Sequence, residues 1–139
     1  MKPEIFADTN YWVALFNPKD SLFARSVYYS ESTPSTEPIV TSQVILGEVI
    51  EQFAKKSIFI KEHILRFIAE LDRDSRIIIE PMTPKLFEDT IAFYRRHLDK
   101  EWGFVDCSSF VIMKRRGIKD ALTYDRHFIQ AGFKALLRE

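Results

Sequence analysis

The sequence predicts an α/β fold in which a mostly parallel sheet is covered by helices on both faces. Short apolar runs rich in β-forming residues alternate with segments of helical period, the pattern that favours a parallel sheet. The clearest strand is Arg76-Ile77-Ile78-Ile79-Glu80, which Pro81 ends. The length of 139 residues is typical of one domain, so we expect residues 1–139 to form a single domain.

The predicted strands are the short apolar runs. They lie at residues 5–7, 39–40, 76–80 and 121–124, with a last strand expected within 133–137. The predicted helices show amphipathic periodicity or clear start and stop signals. They lie at residues 9–16, 21–29, 42–53, 59–71, 83–98, 105–116 and 126–131.

Local signals justify these boundaries. Asn17-Pro18 breaks the first helix, and the Ser-, Thr- and Pro-rich stretch at 30–38 indicates a surface loop. Pro84 occupies the first position of a helix, where its missing N–H costs nothing, and Gly117 ends a later one.

Composition indicates a packed domain outside the membrane. Hydrophobic residues make up 46% of the chain, with 12 Phe, so a core needs no covalent support. The single Cys107 has no intramolecular disulfide partner, which fits a reducing cytoplasm. No apolar run approaches the roughly 20 residues of a membrane span, and no charged-then-apolar leader opens the chain. We therefore expect a cytoplasmic protein without a membrane partner.

The charge balance argues against a simple electrostatic nucleic-acid binder. The 20 basic and 20 acidic residues give a net charge of zero, whereas such domains tend to be basic. This argument weakens if several carboxylates face bound metal. Basic residues cluster at 114–116 and 119, and we interpret them as a solvated helix end in preference to a phosphate-binding patch.

Four carboxylates are candidates for a common site. Asp8 and Asp125 follow predicted strands, and ligands of open α/β sheets bind beyond the carboxyl ends of the strands. Glu48 and Asp106 can reach the same place from helices. Carboxylates that converge in this way repel one another unless a cation lies between them, and Mg²⁺ or Mn²⁺ prefers such oxygen ligands.

Each carboxylate also has a purely structural interpretation. Asp8 and Asp125 can cap the helices that follow them, and Asp106 lies in the first turn of its helix, where a negative charge is favourable. Glu48 is less easily explained in this way, because its own i±4 neighbours are Val44 and Gln52.

Taken together, the four positions resemble the acidic signature of the PIN-domain nucleases, which include the toxins of VapC-like toxin–antitoxin pairs. The resemblance spans almost the whole chain, and its matching segments occur in the family's order. They are Asp8-Thr9-Asn10 after the first strand, Glu48 in the helix after the second, Val105-Asp106-Cys107-Ser108-Ser109-Phe110 at a helix start, and Thr123-Tyr124-Asp125-Arg126-His127-Phe128 at the end. Tyr124 and Cys107 depart from the commoner residues, and neither is a ligand position.

The resemblance implies a PIN-like three-layer α/β/α sandwich and an Mg²⁺- or Mn²⁺-dependent endoribonuclease. Asp8, Glu48, Asp106 and Asp125 would be the catalytic metal ligands, the last acting directly or through water. Thr9 and Asn10 would orient a carboxylate or contact phosphate. The implied partners are an RNA substrate and an antitoxin protein, and we also expect a homodimer.

Other assignments compete with this one. We expect His127 to pack beside Phe128 or to cap a helix, in preference to acting as a base, and Cys107 to be a small buried residue. Haloacid-dehalogenase-like phosphatases also carry an Asp after their first strand, but here Asn10 stands where they need a second Asp. The non-enzymatic alternative is an inert PIN-like module that binds nucleic acid or protein.

Overall fold

The computed structural model of the chain describes residues 3–32 and 37–139, and its centre is a five-stranded sheet in which the strands, numbered along the chain, lie in the order 3-2-1-4-5. The strands are β1 Ile5–Ala7, β2 Ile39–Ser42, β3 Ile77–Glu80, β4 Asp120–Leu122 and β5 Lys134–Ala135. All four neighbouring pairs are parallel, which confirms the predicted sheet. No helix among the described residues is long and apolar enough to span a membrane.

Helices follow the strands in the predicted alternation. They are α1 Thr9–Ala14, α2 Phe23–Ser32, α3 Gln43–Gln52, α4 Ile58–Arg73, α5 Pro84–Arg96, α6 Phe104–Arg116 and α7 Arg126–Gln130. Side-chain oxygens cap several of them at the N-terminus; Ser42 Oγ, for example, accepts from the N–H of Ile45 at 3.0 Å. Gly117 ends α6 with a φ of 68°, a conformation that favours glycine.

Two predicted boundaries were wrong. Helix α2 continues to Ser32, into the stretch expected to be a loop; residues 33–36 of that loop lie outside the described part. The last strand is only two residues long, because a 3₁₀ turn at Leu136–Arg138 follows it. That turn lets Leu136 and Leu137 both be buried, and the N–H of Leu137 donates to the carbonyl of Thr123 at 3.1 Å.

The core lies on both sides of β1, the central strand. Phe6 and Ala7 are fully buried, and Trp12 and Trp102 are buried as well, so both tryptophans belong to the core. The Trp12 indole N–H donates to Thr41 Oγ1 at 3.2 Å, which satisfies its polar atom inside the protein.

The sheet order places a topological switch point beside β1. Strand β1 pairs with β2 on one side and with β4 on the other, although β4 comes much later in the chain. Crevices at such points, beyond the carboxyl ends of the strands, are where α/β proteins bind ligands. Asp8 follows β1 directly, and residues 123–125 follow β4.

Candidate metal centre

A pocket of about 300 Å³ lies at this switch point, and we call it the acidic pocket. Its lining residues are Asp8, Thr9, Asn10, Val13, Asp20, Glu48, Gln52, Asp106 and Asp125. The structure therefore brings together all six residues that the sequence nominated. The lining contains five carboxylates and, among the described residues, no lysine or arginine. Negative charge dominates the pocket.

Asp8 is the most deeply buried of these acids, with 6% of its surface exposed. One carboxylate oxygen accepts from the backbone N–H of Thr9 at 2.8 Å, and the other accepts from the Thr123 hydroxyl at 2.7 Å. The pKa of Asp8 is raised to about 7. Burial is the main cause, the charges of Asp106 and Asp125 contribute, and the two hydrogen bonds oppose the rise. Without a cation, this side chain is close to taking up a proton at neutral pH.

Glu48 enters the acidic pocket from α3 and is half-buried there. The Thr9 hydroxyl donates a hydrogen bond to Glu48 Oε1. Thr9 thus donates to two acids: its backbone N–H donates to Asp8 and its hydroxyl donates to Glu48. These contacts are consistent with the predicted role of Thr9 in orienting a carboxylate.

Asp106 and Asp125 meet at one side of the acidic pocket, together with His127. One ligand atom from each of the three residues lies within 4.8 Å of the others. His127 Nδ1 is 2.8 Å from Asp106 Oδ2 and 3.5 Å from Asp125 Oδ1. The side chains come from α6, from the residue before α7, and from α7 itself.

His127 does not lie where we expected it. Its backbone N–H does belong to the cap of α7, donating to Asp125 Oδ1 at 2.9 Å, but its ring contacts the acids and does not pack in the core with Phe128. Burial alone would lower the pKa of His127, but the hydrogen bond to Asp106 and the charge of Asp125 outweigh it and raise that pKa. The acids of the pocket therefore favour the protonated form of the His127 ring.

Asn10 and Thr123 tie the first acid to the last. Thr123 Oγ1 donates to Asp8 and accepts from the backbone N–H of Asp125 at 3.0 Å. The Asn10 amide lies 3.5 Å from Thr123 Oγ1 and accepts from the N–H of Tyr124 at 3.3 Å. Asn10 thus holds the segment that carries Asp125, a role different from the acid–base Asp of the phosphatases.

The capping interpretations also hold, and they do not compete with a metal site. Asp8 caps α1, Asp125 caps α7 through the N–H of His127, and Asp106 accepts from the N–H of Gly103 at 3.3 Å. A carboxylate offers about four lone-pair positions, so one or two N–H donors leave room for a cation. Here capping fixes the direction in which each carboxylate points.

The donor set fits a hard divalent cation. Carboxylate oxygens dominate the acidic pocket, and Mg²⁺ and Mn²⁺ prefer such ligands, often with water completing the coordination. The raised pKa of Asp8 shows the cost of burying its charge, to which the neighbouring acids add. A bound cation would remove that cost.

Sequence reasoning missed Asp20, the fifth carboxylate of the acidic pocket. It lies in the turn between α1 and α2, where its side chain accepts from the N–H of Leu22 at 2.8 Å. The local signal, Asn17-Pro18, indicated where the first helix ends but not which side of the molecule the following turn faces.

Comparison with known proteins identifies the family. The model of the PIN domain family matches residues 5–134, nearly the entire chain. This chain belongs to the PIN-domain family. The assignment confirms the resemblance drawn from the four acidic segments and leaves no support for the phosphatase alternative.

Individual relatives agree with the PIN assignment. The chain is 32% identical over 130 residues to the 23S rRNA-specific endonuclease VapC20 of Mycobacterium tuberculosis, covering 93% of this chain and 95% of the relative. The crystal structure of that protein, described as a Sarcin-Ricin loop cleaving toxin, superposes with a TM-score of 0.79 at 29% identity, over 93% of this chain and 95% of that one. FitAcB from Neisseria gonorrhoeae matches with a TM-score of 0.66 at 19% identity, over 94% of both chains, and supports the fold alone. The predicted three-layer PIN fold is confirmed.

Proposed function

We propose that this PIN-domain protein is a divalent-metal-dependent endoribonuclease that hydrolyses RNA phosphodiester bonds in the acidic pocket. The observation that carries the proposal is the convergence of Asp8, Glu48, Asp106 and Asp125 on one pocket of about 300 Å³ at the switch point of the sheet. The relative at 32% identity is named as an endonuclease specific for 23S rRNA, which supports RNA as the substrate.

The proposed metal ligands are these four carboxylates, and the proposed cation is Mg²⁺ or Mn²⁺. When bound, such a cation lowers the pKa of water and neutralises charge on the leaving oxygen of a phosphodiester. The pocket's lining offers no lysine or arginine among the described residues, so its own side chains cannot neutralise a phosphate. An RNA strand would meet net repulsion there in the absence of a cation.

The remaining polar residues hold these carboxylates in place. Thr9 fixes Asp8 and Glu48 relative to each other, because it donates to both. Thr123 joins Asp8 to the backbone of Asp125, and Asn10 holds the adjoining peptide at Tyr124. A site held by such supporting bonds needs little rearrangement when substrate arrives.

A cleavage assay tests the proposal. Wild-type protein is incubated with 23S rRNA, other structured RNAs and single-stranded RNA, with Mn²⁺, with Mg²⁺ or with a chelator. We expect endonucleolytic products only with a divalent cation, and a loss of orders of magnitude in rate in Asp106→Asn. The matched control is Glu51→Gln, an acid on the same helix as Glu48 that does not line the acidic pocket. A folded wild-type protein that cleaves none of these RNAs would favour the inert PIN module.

We further propose that the protein is the toxin of a toxin–antitoxin pair. The structurally matched relative is described as a toxin, and this chain carries an apolar groove of about 240 Å³ between α3 and α4 that an antitoxin segment could fill. Its apolar lining includes Ile50, Phe53 and Leu65. Co-purification of a partner from the native cell with wild type, and its loss in Leu65→Glu, would support this assignment.

A homodimer is proposed from the exposed face of α5. Phe87, Ile91 and Tyr94 are exposed at helical spacing, and Leu98 continues the stripe beyond the helix end. Sedimentation should show a dimer for wild type and a monomer for Ile91→Glu, whereas Ile129→Glu, an exposed position on α7, should stay dimeric.

We also propose that residues 1–139 act as one domain in the cytoplasm, where ribosomal RNA is found.

A further inference from the structure

A second and larger depression adjoins the acidic pocket, and we call it the tyrosine groove. Its volume is about 730 Å³, and its walls include Tyr28, Tyr124, Arg25, Arg138 and Glu139. Helix α2 supplies Arg25 and Tyr28, whereas the segment after β4 and the final 3₁₀ turn supply Tyr124 and Arg138. The proposed hydrolysis uses none of these side chains.

The tyrosine groove and the acidic pocket share two segments of chain. Tyr124 lines the groove and its neighbour Asp125 lines the pocket; Ser21 lines the groove and its neighbour Asp20 lines the pocket. The backbone N–H of Tyr124 also donates to Asn10 of the pocket. A strand whose phosphate lies among the carboxylates would therefore continue directly into the groove.

Two tyrosine rings are exposed in the groove and held there by neighbours. Tyr28 is 61% exposed and Tyr124 is 46% exposed, so both rings are accessible to a ligand. The Arg138 guanidinium lies over the Tyr124 ring, 4.2 Å from its centroid, and Tyr28 packs edge-on against Tyr29 at 5.3 Å. Rings held in this way lose little entropy when a flat ligand stacks on them.

The two arginines of the groove also have free capacity for an anion. Arg25 donates to the carbonyl of Leu137 at 3.0 Å, and Arg138 donates to the carbonyl of Tyr124 at 2.7 Å. Each of these bonds uses one of five N–H donors. Over residues 3–32 and 37–139, neither arginine forms a salt bridge, and Glu139, the acid of the groove, pairs with Lys134 at 3.4 Å.

The basic run that the sequence singled out is different. Arg115 pairs with Asp89, and Arg116 pairs with Glu4 and Glu80, so both guanidinium groups are already occupied by carboxylates. These ion pairs favour a helix end over a phosphate-binding patch for the two arginines of that run. Arg25 and Arg138 of the tyrosine groove, in contrast, have no carboxylate partner among the described residues and can contact a phosphate.

We propose that the tyrosine groove binds an unpaired nucleotide of the RNA substrate next to the bond that is cut. The base stacks on Tyr28 or Tyr124, and Arg25 and Arg138 bind the adjoining phosphate. Stacking on aromatic rings combined with cationic contacts is how proteins hold single-stranded nucleic acid. The inference rests on the proposed ribonuclease function and adds that single-stranded regions are preferred over duplex.

The test measures binding separately from cleavage. A fluorescently labelled 12-nucleotide single-stranded RNA is titrated with protein in saturating Mn²⁺, which offsets the charge of the acidic pocket. Every protein in this titration carries Asp106→Asn so that the RNA is not cut, and the anisotropy gives Kd. Of Tyr28→Ala and Tyr124→Ala, at least the variant that lacks the stacked ring should weaken binding by about 5- to 150-fold, the range for loss of one stacked base. Tyr28→Phe and Tyr124→Phe should stay within about twofold of wild type, because the ring is kept.

Phe59→Ala is the matched control, since it removes an aromatic ring that is 77% exposed on α4. It should bind RNA as wild type does. If both alanine variants bind RNA with wild-type affinity and the wild type cleaves RNA in Mn²⁺, the groove inference is overturned but the proposed nuclease activity is not. This result is expected if the groove binds a protein partner. A wild type that neither binds nor cleaves RNA would overturn both proposals.

Discussion

His127 Nδ1 lies 2.8 Å from Asp106 Oδ2, and this contact joins two helices, α7 and α6, at the edge of the acidic pocket. The carboxylate of Asp125 lies 3.5 Å from the same nitrogen. These neighbours raise the pKa of the imidazole despite its partial burial. The acids that would hold a cation thus also favour protonation of the ring.

A bound metal should reverse this effect. When a divalent cation neutralises Asp106 and Asp125, the imidazolium loses its partners, and the pKa of His127 should fall towards or below 6.5. NMR titration of the ring proton with and without the diamagnetic Mg²⁺ measures the change. His63, which is exposed on α4, is the internal control and should not respond. An equal pKa in both titrations would mean that the cation binds elsewhere.

The buried Asp8 predicts a pH-dependent gain in stability on mutation. Its pKa is about 7 in the folded protein and about 3.9 in an unfolded chain, so the folded state binds the proton more tightly. Asp8 therefore lowers stability progressively as pH rises from about 4 to about 7. In chelator, Asp8→Asn should be more stable than wild type by a few kcal/mol at pH 8, with almost no difference at pH 4.

Urea unfolding at the two pH values checks this expectation. If Asp8→Asn were less stable by the same amount at both, the residue would act only as a helix cap. The same variant should lose metal-dependent cleavage, because Asn carries no charge to bind the cation.

Thr123 offers a test of the supporting hydrogen bonds. Thr123→Val keeps the shape of the side chain but removes the hydroxyl that donates to Asp8 and accepts from the N–H of Asp125. Leaving these buried groups unpaired should cost about 1–3 kcal/mol and weaken metal binding. Thr90→Val is the matched control: its hydroxyl is equally buried but bonds only to the carbonyl of Leu86 on α5. It should lose stability and keep its metal affinity, as titration calorimetry would show.

Cys107 should matter for packing alone. The thiol is 1% exposed, and burial, together with the charge of Asp106, raises its pKa to about 11, so it stays protonated and unreactive near pH 7. Cys107→Ala should cost on the order of 1 kcal/mol and keep nuclease activity. Rapid alkylation of the folded wild type, or a folded but inactive variant, would contradict this.

The sequence indicated which acids lie together more fully than it indicated the contacts that those residues make. Asp8 and Asp125 follow strands, and the strand order that brings them together at a switch point is a common outcome for alternating strands and helices. Glu48 was a candidate because its predicted helix could bring it to the same end of the sheet, and the resemblance to PIN nucleases supported it where its local pattern was a weak signal. The site's acids were thus found from chain position and family signature together.

His127 and Asp20 could not be placed in this way. His127 lies two residues after Asp125, and only the approach of α6 decides that its ring meets Asp106. Asp20 lies in a turn whose orientation depends on how α1 and α2 pack. Both contacts are long-range consequences of the fold, which local periodicity does not encode.

The central claim is that Asp8, Glu48, Asp106 and Asp125 form one divalent-cation site, and a thermal shift measurement tests it most directly. A cation at a hundredfold excess over its Kd adds roughly 2.7 kcal/mol to the free energy of unfolding. Each kcal/mol moves the Tm of a domain of this size by about 2–6 °C. We expect Mn²⁺ and Mg²⁺ to raise the Tm, whereas Na⁺ at matched ionic strength should leave it unchanged. The rise in Tm should be smaller in Asp8→Asn and in Asp106→Asn, and it should be unchanged in Glu51→Gln. Equal shifts in all three variants would show that the cations act on general surface charge, and would contradict the claim.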